Sequence, residues 1–277
     1  MKKILIAFDG LNYSKDSTDF AIKMAKASNS LLVGVFLYDS RYAQLLHTQQ
    51  WDVPFRHYYY DMSMMEKMDD RRINESIQQF TTQCGESGIY FKVHFDKGVP
   101  LKELLHESAF ADLIVIDTQA GLFNLSNDSV NTFVKVLLVE SSCPIMIVPK
   151  ITKEIKNVFI AYDGSESSVV AMKMFSYLFP EWSELNTTIL NVNRTSSNHL
   201  PKNRDIKDLS KQHFKNMKYK ILNGETSEVL IDYLKKHDEQ SIVVMGSYGR
   251  NALSRMLHSS LSNKVIDHAK IPVFITH

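Results

Sequence analysis

Ile4-Leu5-Ile6-Ala7-Phe8-Asp9-Gly10 is written a second time in this chain, as Val158-Phe159-Ile160-Ala161-Tyr162-Asp163-Gly164. Each copy is an apolar run closed by a carboxylate and a glycine. That pattern reads as a strand buried on both faces which stops at a turn. A second pair follows, Ser141-Ser142-Cys143-Pro144-Ile145-Met146-Ile147-Val148 and Ala269-Lys270-Ile271-Pro272-Val273-Phe274-Ile275-Thr276. Between these, Gly98 and Leu113-Ile114-Val115-Ile116 match Gly224 and Ile242-Val243-Val244. A repeat on this scale decides the architecture before any single residue does. It predicts two domains of one design, residues 1–150 and 151–277, joined at the polar connector Pro149-Lys150-Ile151-Thr152-Lys153-Glu154.

Within each half, strands alternate with helices. The first half predicts strands at about 3–9, 31–37, 89–95, 112–117 and 143–148, with helices at about 14–28, 65–84, 101–110 and 129–140. The second predicts strands at about 157–162, 186–192, 217–222, 241–245 and 272–276, with helices at about 165–178, 205–216, 226–238 and 258–269. Continuous apolar strands separated by helices and right-handed crossovers give an α/β fold with two doubly wound, five-stranded, Rossmann-like parallel sheets. Ligands of such sheets sit beyond the carboxyl ends of the strands, where the strand order reverses. Asp9, Asp163, Thr118 and Gly246 all fall at such ends.

The chemistry concentrates after Ile242-Val243-Val244-Met245, where Gly246-Ser247-Tyr248-Gly249 is followed by Ser259-Ser260. A glycine loop between a buried strand and a helix suits an anion, because the backbone can approach closely and the helix start offers unpaired N–H groups. Residues 246–260 carry Arg250 and Arg255 and no acid, a formal charge of +2. The first half holds a weaker copy. Counted back from its last strand, Thr118 replaces the first glycine, Gly121 keeps the second, Asn131 stands at the third and Thr132 keeps the hydroxyl. Residues 118–132 include Asp128 and no Lys or Arg, a formal charge of −1.

These features together resemble the universal stress protein family, in its nucleotide-binding type and as two tandem copies. The family's phosphate loop reads Gly, two residues, Gly, nine residues, Gly, then Ser or Thr. Gly246, Gly249 and Ser260 match it in register, and Ser259 stands at the third glycine. The resemblance implies strand order 3-2-1-4-5 in each sheet. It also implies an adenine nucleotide such as ATP, with Mg²⁺ as a companion cation. It places Asp163 at the nucleoside, the backbone of Asn191 and Val192 at the base, and Gly246, Gly249, Arg250, Ser259 and Ser260 at the phosphates. The weaker first-domain counterparts are Asp9, Thr118, Gly121, Asn131 and Thr132. A carboxylate such as Asp163 accepts hydrogen bonds from ribose hydroxyls or binds a cation that bridges phosphates. Ser259 adds a β-carbon where the family has none, at a cost of about 1 kcal/mol if that residue needs positive φ.

In the family's strand order, the last strand of each half lies at a sheet edge. The apolar residues 145–148 and 273–276 would otherwise leave edges open to aggregation. The two edges are therefore expected to pair with each other as an internal pseudo-dimer, and association of whole chains is a further option.

The function this predicts is a stress-response protein that binds nucleotide mainly in its second domain and so regulates a conformation or a partner protein. The alternative is a nucleotide-independent scaffold that uses the aromatic insertion at 39–64, where Trp51, Phe55, Tyr58, Tyr59 and Tyr60 cluster. A slow ATP hydrolase ranks third, since no residue is placed to activate water. No catalytic residue is assigned. His57 and Asp61 are not joined by further ligands, so no metal set is read there. Asp163-Gly164-Ser165-Glu166 reads as a helix start, with Ser165 as the cap.

The 277 residues are 44% hydrophobic with a net charge of +1, which gives nucleic acid no electrostatic footprint. Two cysteines, Cys84 and Cys143, lack a Cys-x-x-Cys context and suit a reducing compartment. No run approaches the ~18 apolar residues of a membrane span. The apolar run at 4–8 is too short for a signal peptide. The expected location is cytoplasmic.

Overall fold

The computed structural model describes residues 1–9, 11–38, 55–117, 132–149, 154–193, 199–237, 240–246, 261, 265–266 and 270–276. Ten strands form one sheet among them. The first half contributes β1 (Lys3–Phe8), α1 (Lys15–Ser28), β2 (Leu31–Tyr38), α2 (Phe55–Glu86), β3 (Phe91–Lys97), α3 (Pro100–Ser108), β4 (Leu113–Asp117), α4 (Thr132–Glu140) and β5 (Ile145–Val148). The second contributes β6 (Asn157–Ala161), α5 (Glu166–Leu178), β7 (Asn186–Asn193), α6 (Asn203–His213), β8 (Asn216–Asn223), α7 (Thr226–Lys236), β9 (Ser241–Gly246) and β10 (Val273–Thr276). A 3-10 turn, Trp182–Glu184, leads into β7.

The strand order is β3-β2-β1-β4-β5-β10-β9-β6-β7-β8. Every neighbouring pair is parallel except β5 and β10, which run antiparallel with Phe274 opposite Met146. The two apolar edges thus cover each other. Period-2 alternation sends successive residues to opposite faces. One face buries Ile4, Ile6, Phe8, Met146, Val158, Ile160 and Phe274. The other buries Leu5, Ala7, Ile145, Ile147, Phe159, Val243 and Ile275. Both clusters run across the β5–β10 seam, so the core is continuous from one half to the other.

The helices start and stop for local reasons. Ser14 caps α1 by accepting from the Ser17 N–H, and Asn29 ends it in the left-handed region at φ 48. Ser165 caps α5 by accepting from the Ser168 N–H at 3.2 Å, as its sequence predicts. The helix expected at 65–84 is longer than that reading, since α2 already begins at Phe55. No glycine or proline interrupts the chain between Pro54 and Gly85, and the tyrosines that read as an insertion are carried on helical backbone instead. Residues 39–54, with Trp51, lie outside the described residues, as does most of the helix expected at 258–269. Among the described residues no helix is long and apolar enough to cross a membrane.

Phe274 sits at the seam, fully buried, with its ring 5.4 Å from Phe175 and 5.9 Å from Phe179. Phe274→Ala should cost about 3–5 kcal/mol. Urea unfolding should read this as a lower midpoint.

Candidate functional site

In the second half the strand order reverses around β6, which has β7 on one side and β9 on the other. The carboxyl ends of these strands bring together Asp163, Gly246 and the first turn of α5. Asp163 is exposed. Its Oδ1 accepts the Ser165 N–H at 2.9 Å, and its Oδ2 has no partner among the described residues. A carboxyl group with a vacant oxygen beside a helix start can accept from a ligand hydroxyl or meet a cation.

Gly246 is fixed by packing. A Cβ built on it would lie 2.5 Å from the Ser167 carbonyl carbon and 2.6 Å from the Ser168 nitrogen. These are backbone atoms of the first turn of α5, and they cannot swing aside as a side-chain tip can. The glycine therefore lets a helix start rest directly on a strand end. The sequence motif alone credits it to phosphate access, whereas helix packing by itself already requires it.

The turn after β6 is held from the other side as well. Gly164 has φ +83, and a Cβ there would meet the Pro201 Cβ at 2.6 Å. The Tyr162 hydroxyl donates to the Pro201 carbonyl at 3.0 Å. Burial, together with the nearby Asp163 and Asp205 charges, raises the pKa of that phenol. Asn191, 4% exposed, donates through Nδ2 to the Tyr162 carbonyl at 2.8 Å, while its Oδ1 has no partner among the described residues. Its side chain thus ties β7 to the turn, and the buried Oδ1 suits an ordered water. Val192 follows on the opposite face and packs against the other core cluster. Nothing in the sequence pattern alone points to Pro201.

The first half places different chemistry at the equivalent positions. Both oxygens of Asp9 are taken within its own turn: Oδ1 accepts from the Leu11 and Asn12 N–H groups at 3.0 and 2.6 Å, and Oδ2 from Asn12 Nδ2 at 2.5 Å. Two ladders fix what replaces Gly246. Asp117 pairs with Val148 as Gly246 pairs with Thr276, and Leu113 pairs with Ile4 as Ile242 pairs with Val158. The counterpart of Gly246 is therefore Asp117 rather than Thr118, because the chain between β4 and β5 is one residue longer than that between β9 and β10. Asp117 is 4% exposed. Its Oδ2 accepts from the Ser17 hydroxyl at 2.7 Å and also from the Ser14 hydroxyl.

Thr118, Gly121, Asn131, Gly249, Arg250, Ser259 and Ser260 lie outside the described residues, and Thr132 is described only as the first residue of α4. Among the described residues no three His, Cys, Asp or Glu side chains are grouped to hold a metal. Burial pushes the thiols of Cys84 and Cys143 up to about 12 and about 11, so both stay protonated and unreactive at neutral pH. A cavity of about 850 Å³ opens at the other end of the sheet, between α1 and residues 177–185. Met1, Ile155 and Leu185, which line it, precede β1, β6 and β7. It thus sits at the amino ends of the strands, away from the switch point, where this fold class does not hold its ligands.

Residues 180–277 match the Universal stress protein family. A universal stress protein of Methanocaldococcus jannaschii is 25% identical over 156 residues, covering 55% of this chain and 85% of that protein. The crystal structure of a universal stress protein from Archaeoglobus fulgidus superposes with a TM-score of 0.70 at 16% identity, over 99% of this chain and 95% of that one. A functionally unknown protein from Pseudomonas aeruginosa PAO1 gives a TM-score of 0.60 at 13% identity, over 99% and 92% of the two chains. The two structures establish that the fold is shared along the whole chain. The sequence match to the family spans β7 to β10 and includes the 246–260 loop.

Gly246→Ala should cost about 1–3 kcal/mol, because a methyl group must displace helix backbone. Gly98→Ala is the control: its Cβ would meet only the tip of Glu103, with Oε1 at 2.9 Å, and the change should stay within about 0.5 kcal/mol. Equilibrium urea unfolding of both variants checks the contrast.

Proposed function

We propose that this chain is a tandem universal stress protein, with domains 1–150 and 151–277 paired as an internal pseudo-dimer, that binds an adenine nucleotide in its second half. The observation that carries this reading is Asp163, an exposed carboxylate with a vacant oxygen at the switch point, set against Asp9, whose oxygens are both engaged. The family match supports it, since the matched residues contain the whole loop. In this reading Asp163 accepts from the ribose hydroxyls, and the backbone of Asn191 and Val192 at the end of β7 flanks the base. Gly249, Arg250, Ser259 and Ser260 hold the phosphates, with Mg²⁺ bound through them. The bound nucleotide alters the surface that a partner protein meets. Hydrolysis forms no part of the proposal, because no described residue is poised to activate water.

Protein denatured after purification should release an adenine nucleotide, or the refolded chain should bind one in calorimetric titration. Arg250→Ala and Ser260→Ala should each weaken that binding by about 1.5–3 kcal/mol, roughly ten- to a hundredfold. Unchanged affinity in both variants would mean the phosphates bind elsewhere. No nucleotide in either measurement would sink the reading.

A further inference from the structure

The connection from α5 to β7 is longer than its counterpart in the first half, and the extra residues build a wall. Two residues, Asn29 and Ser30, join α1 to β2. Seven, residues 179–185, join α5 to β7. The scaffold does not need them, since the first half closes the same crossover without them, and residues of that kind are where a fold carries function. What they add is Phe179, Pro180, Trp182 and Leu185, all of which line the cavity of about 850 Å³. Phe20 and Met24 line it from α1, so its two walls come from different halves of the chain. The Trp182 ring stacks on Phe179, with centroids 4.6 Å apart and planes 15° from parallel, and lies 6.1 Å from Phe20. Phe20 and Phe179 are buried, whereas Trp182 is only partly so, and Tyr177 in the same lining is 64% exposed.

We propose that this cavity is a binding site for an aromatic molecule without negative charge, separate from the nucleotide crevice and independent of that reading. Its volume is that of a small-molecule pocket, and such pockets favour aromatic linings at the junction of two packed units. Burying the open part of the Trp182 ring together with the apolar surface of the ligand supplies the affinity, and ring contacts add orientation. The charged groups of the lining restrict the class. Asp16, Asp19, Glu154 and Glu181 stand against Lys2 and Lys23, a formal charge of −2. That balance disfavours a phosphate, sulfonate or carboxylate brought beside it.

Two dyes built on the same rings test this: N-phenyl-1-naphthylamine, which is uncharged, and 8-anilinonaphthalene-1-sulfonate, which adds one negative charge. The chain has two tryptophans, so Trp51→Phe leaves Trp182 as the sole tryptophan donor of energy to a bound dye. In that full-length variant the uncharged dye should bind saturably and fluoresce on tryptophan excitation. The sulfonate should bind roughly tenfold more weakly or worse. Ala27→Phe adds a ring at an exposed position of the lining and should weaken the uncharged dye by roughly tenfold. Trp182→Ala, read by exciting the dye directly, should do the same. If Trp182→Ala does not fold, Ala27→Phe alone decides. No saturable binding, binding without transfer from Trp182, or binding unmoved by Ala27→Phe would overturn the site. Equal affinity for the two dyes would overturn the ligand class. Displacement of the dye by ATP would place it in the nucleotide crevice and overturn the proposal. A chain that binds the dye but no nucleotide would defeat the nucleotide reading and leave this site standing.

Discussion

The antiparallel pairing of β5 with β10 is the contact on which the rest of this molecule depends. Each is a four-residue strand, buried throughout and apolar but for Thr276, at the end of a parallel ladder. Alone, each would present unpaired N–H and C=O groups beside exposed Ile and Val side chains, which is the template for edge-to-edge association. Paired, they satisfy that backbone and let the core pass through the seam on both faces of the sheet. The rings of Phe274, Phe175 and Phe179 then fasten the second half's first helix to the same line. Like edges joined about a twofold axis normal to the sheet run antiparallel, and β5 and β10 do so.

The two halves match in scaffold and differ at the strand ends. The alternation of strands, the serine caps of α1 and α5 and the ladder registers are common to both halves. Asp9 and Asp163 sit at equivalent turns, but both oxygens of Asp9 are engaged by Leu11 and Asn12, and Asp163 keeps one without a partner among the described residues. Asp117 and Gly246 occupy one register position, where one presents a buried carboxylate and the other no side chain at all.

Most of the architecture was readable because buried parallel strands leave continuous apolar runs, and most of the ten strands are such runs, in two matching sets. Three things were not. The start of α2 was hidden by its composition, since tyrosines clustered near Trp51 look like a loop insertion when they are weighed as aromatics rather than as a run without helix breakers. The packing role of Gly246 was hidden because a glycine before a loop advertises access to an anion, while the backbone of Ser167 and Ser168 that presses on it is about eighty residues away in sequence. Asp117 was passed over because counting back from the last strand assumes equal loop lengths. One extra residue moves the count onto Thr118, and only hydrogen-bonded register corrects it. Each failure is one of long-range geometry, which local pattern cannot carry.

The same geometry constrains how a ligand in the second half would be felt elsewhere. α5 touches the site with its first turn, at Gly246, and touches the seam with its last, through Phe175 and Phe179. A signal that rotated one half against the other would have to open that aromatic cluster and break the β5–β10 ladder, both fully desolvated and closely packed. Packed cores switch between discrete arrangements and do not deform gradually. No second arrangement that keeps both contacts is evident in this packing. A nucleotide at the carboxyl ends would therefore work locally, by changing the charge and shape of the surface around Asp163 and Gly246. In the proposed function the sheet is the fixed platform, and a partner reads the strand ends.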